Sequence, residues 1–120
     1  MNHKMIGDQA ETLACNYLQH HGLTLVARNF LCRGGEIDLV MRDHNALVFV
    51  EVRYRRQTRY GHAAETVVRS KQVRIIRCAQ YYMHFHHAWN DGARFDVVSI
   101  EGEPGDPAIT WLKDAFRPDA

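Results

Sequence analysis

Residues 36–52 read EIDLVMRDHNALVFVEV, and this stretch decides the fold. Two apolar runs, 36–41 and 46–52, flank a polar turn at 42–45, a pattern that predicts a β-hairpin with antiparallel strands. The second run is almost continuously apolar, as expected of a central strand that is covered on both faces.

The segments on either side of this hairpin predict further elements. Apolar residues recur with the helical period over 6–21, and Gly22 follows as a stop signal. The remaining elements are predicted in this order: a short β-like run at 23–26, a turn at Gly34 and Gly35, a polar loop over 54–64, a helix over about 66–86, a strand over 94–100, a Gly/Pro-rich turn over 101–107 and a short strand over 108–112. The expected fold class is therefore α/β, a central mixed sheet flanked by helices, in a single domain over 1–120.

Composition restricts the class of protein. The 46% hydrophobic and 24% charged fractions are typical of soluble globular proteins. We expect neither a signal peptide nor a membrane span, because no apolar run approaches roughly 20 residues. The three cysteines, Cys15, Cys32 and Cys78, are odd in number and widely spaced, which predicts free thiols and a cytoplasmic location.

Two acids inside the apolar strands are the first candidates for a functional site. An unpaired carboxylate is costly to bury, yet Asp38 and Glu51 both lie in such strands. The hairpin pairs residues whose numbers sum to about 88 or 89, which places the two acids close together. A shared divalent cation would offset their repulsion. Glu11 in the first helix is a third available acid, and Arg53 leaves the same strand face as Glu51. The alternative is a pair of salt bridges from the two strand acids to Arg53 or Arg33.

Basic residues concentrate in one part of the chain. The net charge is only +1, but eight of the fifteen lysines and arginines lie between 53 and 77, opposed only by Glu65. Clustered cations are typical of polyanion sites, although a plain solvated basic face is the alternative. Candidate phosphate contacts in this segment are Arg55, Arg56, Arg59 and Lys71.

Lys71 interrupts the apolar stripe of the second helix, so it either extends outward past the stripe or points at an anion. Other residues allow two interpretations. Glu36 shares the predicted strand of Asp38 and could face the metal. Asp96 is expected to be structural and to pair with Arg94. His84, His86 and His87 are interpreted as exposed residues at a helix end. Tyr54, Tyr60 and Tyr81 could stack on bases, but packing is the more common role at such spacings.

Six segments occur in an order that identifies a family: GDQAE at 7–11, RGGEIDLV at 33–40, VFVEVRYR at 48–55, SKQ at 70–72, RFDVV at 94–98 and WLKDAF at 111–116. Over nearly its whole length the chain resembles the bacterial UPF0102 (YraN) family. That family is similar to archaeal Holliday-junction resolvases and to the wider PD-(D/E)XK nuclease superfamily.

The resemblance implies the restriction-endonuclease-like fold and a nuclease-like site at Asp38, Glu51 and residue 53. In that site Mg²⁺ or Mn²⁺ would also bind the main-chain carbonyl of Val52, with Glu11 as an outer ligand. The implied substrate is DNA, including branched or processed DNA, and a homodimer is a further expectation because resolvases are symmetric dimers.

Arg53 stands where those nucleases have lysine. An arginine stays protonated and cannot act as a base, although it can still orient a phosphate. Two alternatives to an endonuclease therefore remain. One is a nucleic-acid-binding protein with a degenerate site, and the other is an adaptor in DNA processing.

Overall fold

The computed structural model describes residues 3–56, 67–88, 91–103 and 105–119. Within these ranges the chain forms two helices and five strands. In chain order they are α1 (His3–His20), β1 (Thr24–Cys32), β2 (Gly35–Asp43), β3 (Ala46–Arg55), α2 (Arg69–Phe85), β4 (Gly92–Glu101) and β5 (Ala108–Phe116). The predicted α/β class with a mixed sheet is thus confirmed.

The five strands form one sheet in the order β1-β2-β3-β4-β5. Neighbours pair antiparallel except β3 and β4, which are parallel. A parallel pair needs a long crossover, and α2 lies in the segment that connects these two strands. β3 is therefore central, as its continuous apolar run predicts.

The hairpin has the predicted register. β2 and β3 pair from Leu39 with Val50 to Asp43 with Ala46, so paired residue numbers sum to 89. Its turn is shorter than predicted, because β2 continues to Asp43 and leaves only His44 and Asn45 between the strands.

Each helix covers one face of the sheet. Ala14 and Leu18 of α1 belong to the same buried cluster as Val48 and Val50 of β3. Phe49, which lies between them in sequence, belongs to the cluster on the α2 side. This alternation follows from the two-residue period of a strand and explains why β3 is apolar at consecutive positions.

The two outer strands are longer than predicted. β1 continues to Cys32 and β5 to Phe116, whereas the sequence pattern suggested ends near 26 and 112. Edge strands carry polar side chains such as Arg28 and Lys113, so apolar alternation underestimates their length. Helix α1 ends as predicted before Gly22, whose φ of 94° favours glycine.

The prediction for the cysteines is wrong for two of the three. Cys32 at the end of β1 forms a disulfide with Cys78 of α2, 46 residues away in sequence, while Cys15 is free and buried. Packing of α2 against the sheet brings the two Cα atoms to 5.7 Å, a proximity that sequence spacing does not reveal. The argument from free thiols to a reducing compartment therefore fails, and cytoplasm stays a prediction. Neither of the described helices has the length and apolar character needed to cross a bilayer.

Candidate metal and nucleic-acid site

The candidate site forms where β2 separates from β3. The described pairing of these strands ends at Leu39 with Val50. Beyond this point Val52 donates its backbone N–H to Asp38 Oδ2 over 2.8 Å. The carboxylate of Asp38 is therefore held against β3 at the position where a regular ladder would have continued.

The strand is irregular at Asp38. Ile37 packs in the α2-side cluster and Leu39 in the α1-side cluster, although residues two apart in a regular strand share a face. On the neighbouring strand β1, the pairs that flank this point are Arg28 with Leu39 and Phe30 with Ile37, and Asn29 between them has φ of 53°. Both β1 and β2 are therefore irregular at this point, and the residues on either side of Asp38 face opposite sides of the sheet.

Acids from two elements converge here. One carboxylate oxygen each of Glu11, Glu36 and Asp38 lie within 4.8 Å of one another. Glu11 comes from α1 and the other two from β2. Glu51 of β3 is also buried and lines the same cavity as Glu36 and Asp38. The predicted proximity of the strand acids is thus observed, with Glu11 and Glu36 beside them.

Burial and like charge act together on Asp38 and Glu11. The pKa of Asp38 rises from 3.8 to about 8, mainly because the carboxyl is buried and then because Glu51 is close, while the Val52 N–H opposes the rise. Burial also raises the pKa of Glu11, against a hydrogen bond with Asn29. Glu11 Oε1 is buried without a hydrogen-bond partner in the described residues. Such a cluster gains from any cation that enters it.

The opposite wall of the cavity is basic and comes from α2. Lys71 Nζ lies 2.6 Å from Glu51 Oε1. Lys71 therefore points at an anion, one of the two orientations that the sequence allowed, and that anion is a carboxylate of the site. Arg74, one turn further along α2, lines the same cavity of about 290 Å³.

A glycine turn forms part of the cavity rim. Gly34 and Gly35 connect β1 to β2 and line the cavity beside Arg74. Gly34 has φ of 86°, a conformation that side chains rarely adopt. The turn therefore brings backbone without side chains to this part of the rim.

The other predicted contacts lie along the end of β3 or beyond it. Arg53 and Arg55 are half-buried and occupy register positions beside Ser99 and Glu101 of β4. Arg56 is exposed and pairs with Glu103 over 3.3 Å. Arg59 lies outside the described residues. Binding of phosphate by these side chains stays a prediction, as does the Val52 carbonyl as a metal ligand.

Several secondary interpretations can also be compared with the structure. Arg94 and Asp96 form the expected pair, with Nε to Oδ1 and Nη2 to Oδ2 both at 2.9 Å. His84, His86 and His87 are exposed, as expected. The three tyrosines have different outcomes. Tyr54 donates a hydrogen bond from its hydroxyl to the Gly102 carbonyl, and Tyr81 is exposed. Tyr60 lies outside the described residues.

Sequence reasoning did not single out Arg74 as a residue of the site. Its spacing of three from Lys71 was a usable signal, because residues i and i+3 of a helix share a face. The direction of that face, toward the acids, depends on how α2 packs.

Comparison with known proteins identifies the family. Residues 10–100 match the model of the uncharacterised protein family UPF0102. A UPF0102 protein of Nitrosococcus oceani is 53% identical over 116 residues, which cover 96% of this chain and 94% of that protein. Homologues from Pseudomonas syringae pv. syringae and Vibrio cholerae are 48% and 47% identical, over 92% and 97% of this chain and 91% and 95% of their own lengths. This chain belongs to the UPF0102 family, as its motifs predict.

Proposed function

We propose that this protein is a metal-dependent endonuclease of the restriction-endonuclease-like fold that hydrolyses phosphodiester bonds in DNA, including branched or processed DNA. The observation that carries the proposal is the convergence of carboxylate oxygens from Glu11, Glu36 and Asp38 within 4.8 Å, beside buried Glu51. The α/β order of elements and the resemblance to resolvases support it.

The donor set fits a hard divalent cation. Carboxylate oxygens are the ligands that Mg²⁺ prefers, and Mn²⁺ accepts the same set. The buried Glu11 Oε1 lies 3.8 Å from Arg28 Nη2 and has no hydrogen-bond partner among the described residues, which fits an outer role toward such an ion. In the proposal Asp38, Glu51 and the Val52 carbonyl hold the metal, which would activate water and neutralise charge on the scissile phosphate.

The chain itself supplies cations for the phosphate. Arg53 follows Glu51 by two residues and keeps its charge, so its proposed role is to orient the phosphate rather than to move a proton. Lys71 is a cation that contacts Glu51 in the described structure, with Nζ 2.6 Å from Oε1, so it lies directly beside a proposed metal ligand. We therefore assign to Lys71 the part that the resemblance would give to a lysine at 53. Arg55, Arg56 and Arg59 are proposed to contact the DNA backbone.

A second candidate function is binding of nucleic acid without cleavage. The observation that favours it is Arg53 itself, because a nuclease-like site that has lost its lysine can keep its affinity for phosphate. The two functions differ in their response to metal, since binding that rests on arginines alone needs none.

The test is a cleavage panel of duplex, single-stranded, flap and four-way DNA with Mg²⁺, with Mn²⁺ and with EDTA. We expect metal-dependent cutting of at least one substrate. Asp38→Asn and Glu51→Gln should abolish cutting and leave binding in place, and Lys71→Gln should lower the cutting rate by at least about 100-fold, in the range of one lost group that stabilises transition-state charge. Lys113→Gln removes the same charge on the distant strand β5 and should cut like the wild type.

The outcomes separate the alternatives. Cutting that persists in both acid variants would come from a contaminant and would overturn the enzyme proposal. Binding that falls steeply with salt, ignores metal and is followed by no cutting supports the binding-only function. Absence of binding to DNA and RNA at moderate salt supports the adaptor.

A further inference from the structure

An exposed aromatic surface lies on α2, beyond the acidic cavity. Tyr81 and Phe85 stack on each other with ring centroids 6.2 Å apart and an interplanar angle of 17°. The two residues are 56% and 63% exposed. Leu31 of β1, which is 71% exposed, lines the same groove as Tyr81. Large apolar side chains in one exposed group are typical of binding surfaces.

The groove beside these rings is basic. Its volume is about 600 Å³, and Arg33 and Arg77 line it together with Leu31 and Tyr81. In the described part of the chain neither arginine forms an ion pair with an acid. Arg33 and Arg77 are the sequence neighbours of Cys32 and Cys78, and the disulfide between these cysteines holds the two backbone segments together at the groove.

The groove and the acidic cavity follow each other along one helix flank. Lys71 and Arg74 line the cavity, Arg77 lines the groove, and Tyr81 and Phe85 each follow at a spacing of four residues. The ten helical steps from Lys71 to Tyr81 span about 15 Å at roughly 1.5 Å per residue. That length corresponds to about four nucleotides at the roughly 3.4 Å spacing of a stacked duplex strand, and to fewer nucleotides of an extended single strand.

We propose that this groove binds an unpaired stretch of the DNA substrate, with Arg33 and Arg77 on its phosphates and a base stacked on Tyr81 or Phe85. The inference rests on the proposed nuclease function and defines its substrate class as DNA with a single-stranded segment within about four nucleotides of the cut. The faces of paired bases are covered by their neighbours, whereas an unpaired base can stack on an aromatic ring. The arginines make a polyanion a better occupant than an apolar protein surface.

The test compares binding of a blunt duplex and of the same duplex with a single-stranded flap, by fluorescence anisotropy with Ca²⁺ in place of Mg²⁺. We expect at least tenfold tighter binding of the flap substrate. Tyr81→Ala or Phe85→Ala should remove about tenfold of the flap affinity and none of the duplex affinity, as expected for one lost stacking contact. Tyr81→Phe keeps the ring and should bind like the wild type. Leu112→Ala is the matched control, because this exposed side chain lies on the opposite edge strand β5.

A base probe and a charge variant sharpen the test. A 2-aminopurine placed four nucleotides into the flap should lose fluorescence on binding the wild type and keep it with Tyr81→Ala. Arg77→Gln should lower flap affinity and reduce the slope of log affinity against log salt by about one, whereas Lys113→Gln should leave the slope unchanged. Thermal unfolding of every variant checks that it is folded.

Equal affinity for flap and blunt duplex, or flap affinity that survives Tyr81→Ala and Phe85→Ala, would overturn the proposal. A concentration-dependent dimer in sedimentation that Tyr81→Ala dissociates, with DNA affinity unchanged, would assign the groove to a second copy of the chain and overturn it too. Flap preference without any cutting contradicts the nuclease and leaves the groove as a binding site. Cutting without flap preference supports the nuclease and contradicts the groove as the binding site of an unpaired strand.

Discussion

Two buried aspartates on neighbouring parts of one sheet differ in what surrounds them. Asp96 of β4 is fully buried and accepts four hydrogen bonds: two from Arg94, one from Trp111 Nε1 and one from the Asp114 backbone N–H. Asp38 of β2 is 9% exposed and accepts one hydrogen bond from protein in the described residues, from the Val52 N–H. The charged groups that act on the pKa of Asp38 are the acids Glu51, Glu11 and Glu36.

The difference separates a structural acid from a functional one. A buried carboxylate is tolerated when donors satisfy its oxygens, and Asp96 has both oxygens satisfied. Asp38 has a raised pKa instead, because burial and the nearby Glu51 both disfavour its charge. Acids with perturbed pKa values cluster at functional sites, where a bound cation can provide the compensating charge that the protein does not. Sequence alone shows two aspartates in apolar strands and does not distinguish these environments.

The largest expected effect is loss of stability at the satisfied acid. Asp96→Ala removes the acceptor of four donors, so that Arg94 keeps only its 3.0 Å contact with Asp43 and the N–H groups of Trp111 and Asp114 lose their acceptor. We expect the free energy of unfolding to fall by about 3–5 kcal/mol, because each buried donor left without an acceptor costs about 1–3 kcal/mol. Urea unfolding followed by circular dichroism measures it. Glu103→Gln breaks the exposed pair with Arg56 and should change stability by less than about 1 kcal/mol. If Asp96→Ala lowered the free energy of unfolding by less than about 1 kcal/mol, Asp96 would not be a structural acid and the contrast with Asp38 would fail.

The second prediction is that a substitution at Asp38 raises the free energy of unfolding, whereas the substitution at Asp96 lowers it. In the metal-free protein Asp38 binds its proton more tightly when folded, with a pKa of about 8 against an ordinary 3.8. Between these two pH values the folded state holds more protons than the unfolded state, so stability falls as pH rises. Asp38→Asn carries no charge and can still accept the Val52 N–H. At pH 8 it should be more stable than the wild type by a few kcal/mol, and at pH 4 about equal.

Thermal unfolding in EDTA at pH 4, 6 and 8 measures this difference. Glu103→Gln serves again as the control and should show a gap to the wild type that does not grow with pH. If Asp38→Asn were less stable than the wild type at pH 8, Asp38 would be a satisfied structural acid like Asp96.

The parts of the site that sequence predicted are those fixed by local geometry. A short turn sets the register of β2 and β3, so the proximity of Asp38 and Glu51 followed from counting residues. The same holds for the Arg94–Asp96 pair, whose members are two residues apart on one strand face.

The parts that sequence could not predict depend on packing between distant segments. Lys71 contacts Glu51 only because α2 packs across β2 and β1 of the sheet, and Cys32 meets Cys78 for the same reason. Glu11 was an available acid in the sequence, but its place beside Asp38 requires both the docking of α1 and the strand irregularity at that residue. Strand ends at the sheet edges were missed because edge strands lack the apolar alternation that marks inner ones.

The smallest expected effect is the increase in the free energy of unfolding when a metal ion binds. At pH 8, Mg²⁺ at ten times its dissociation constant should stabilise the wild type by about 1.4 kcal/mol, because a ligand that binds only the folded state shifts unfolding by mass action. Asp38→Asn should lose most of this gain, since it lacks one of the proposed ligands, while Asp96→Ala, if it folds, should keep it. The measurement is thermal unfolding against Mg²⁺ concentration, with Ca²⁺ and Na⁺ at matched ionic strength to remove screening. An equal gain in wild type and Asp38→Asn would place the ion elsewhere, and the two aspartates would then differ in stability but not in function.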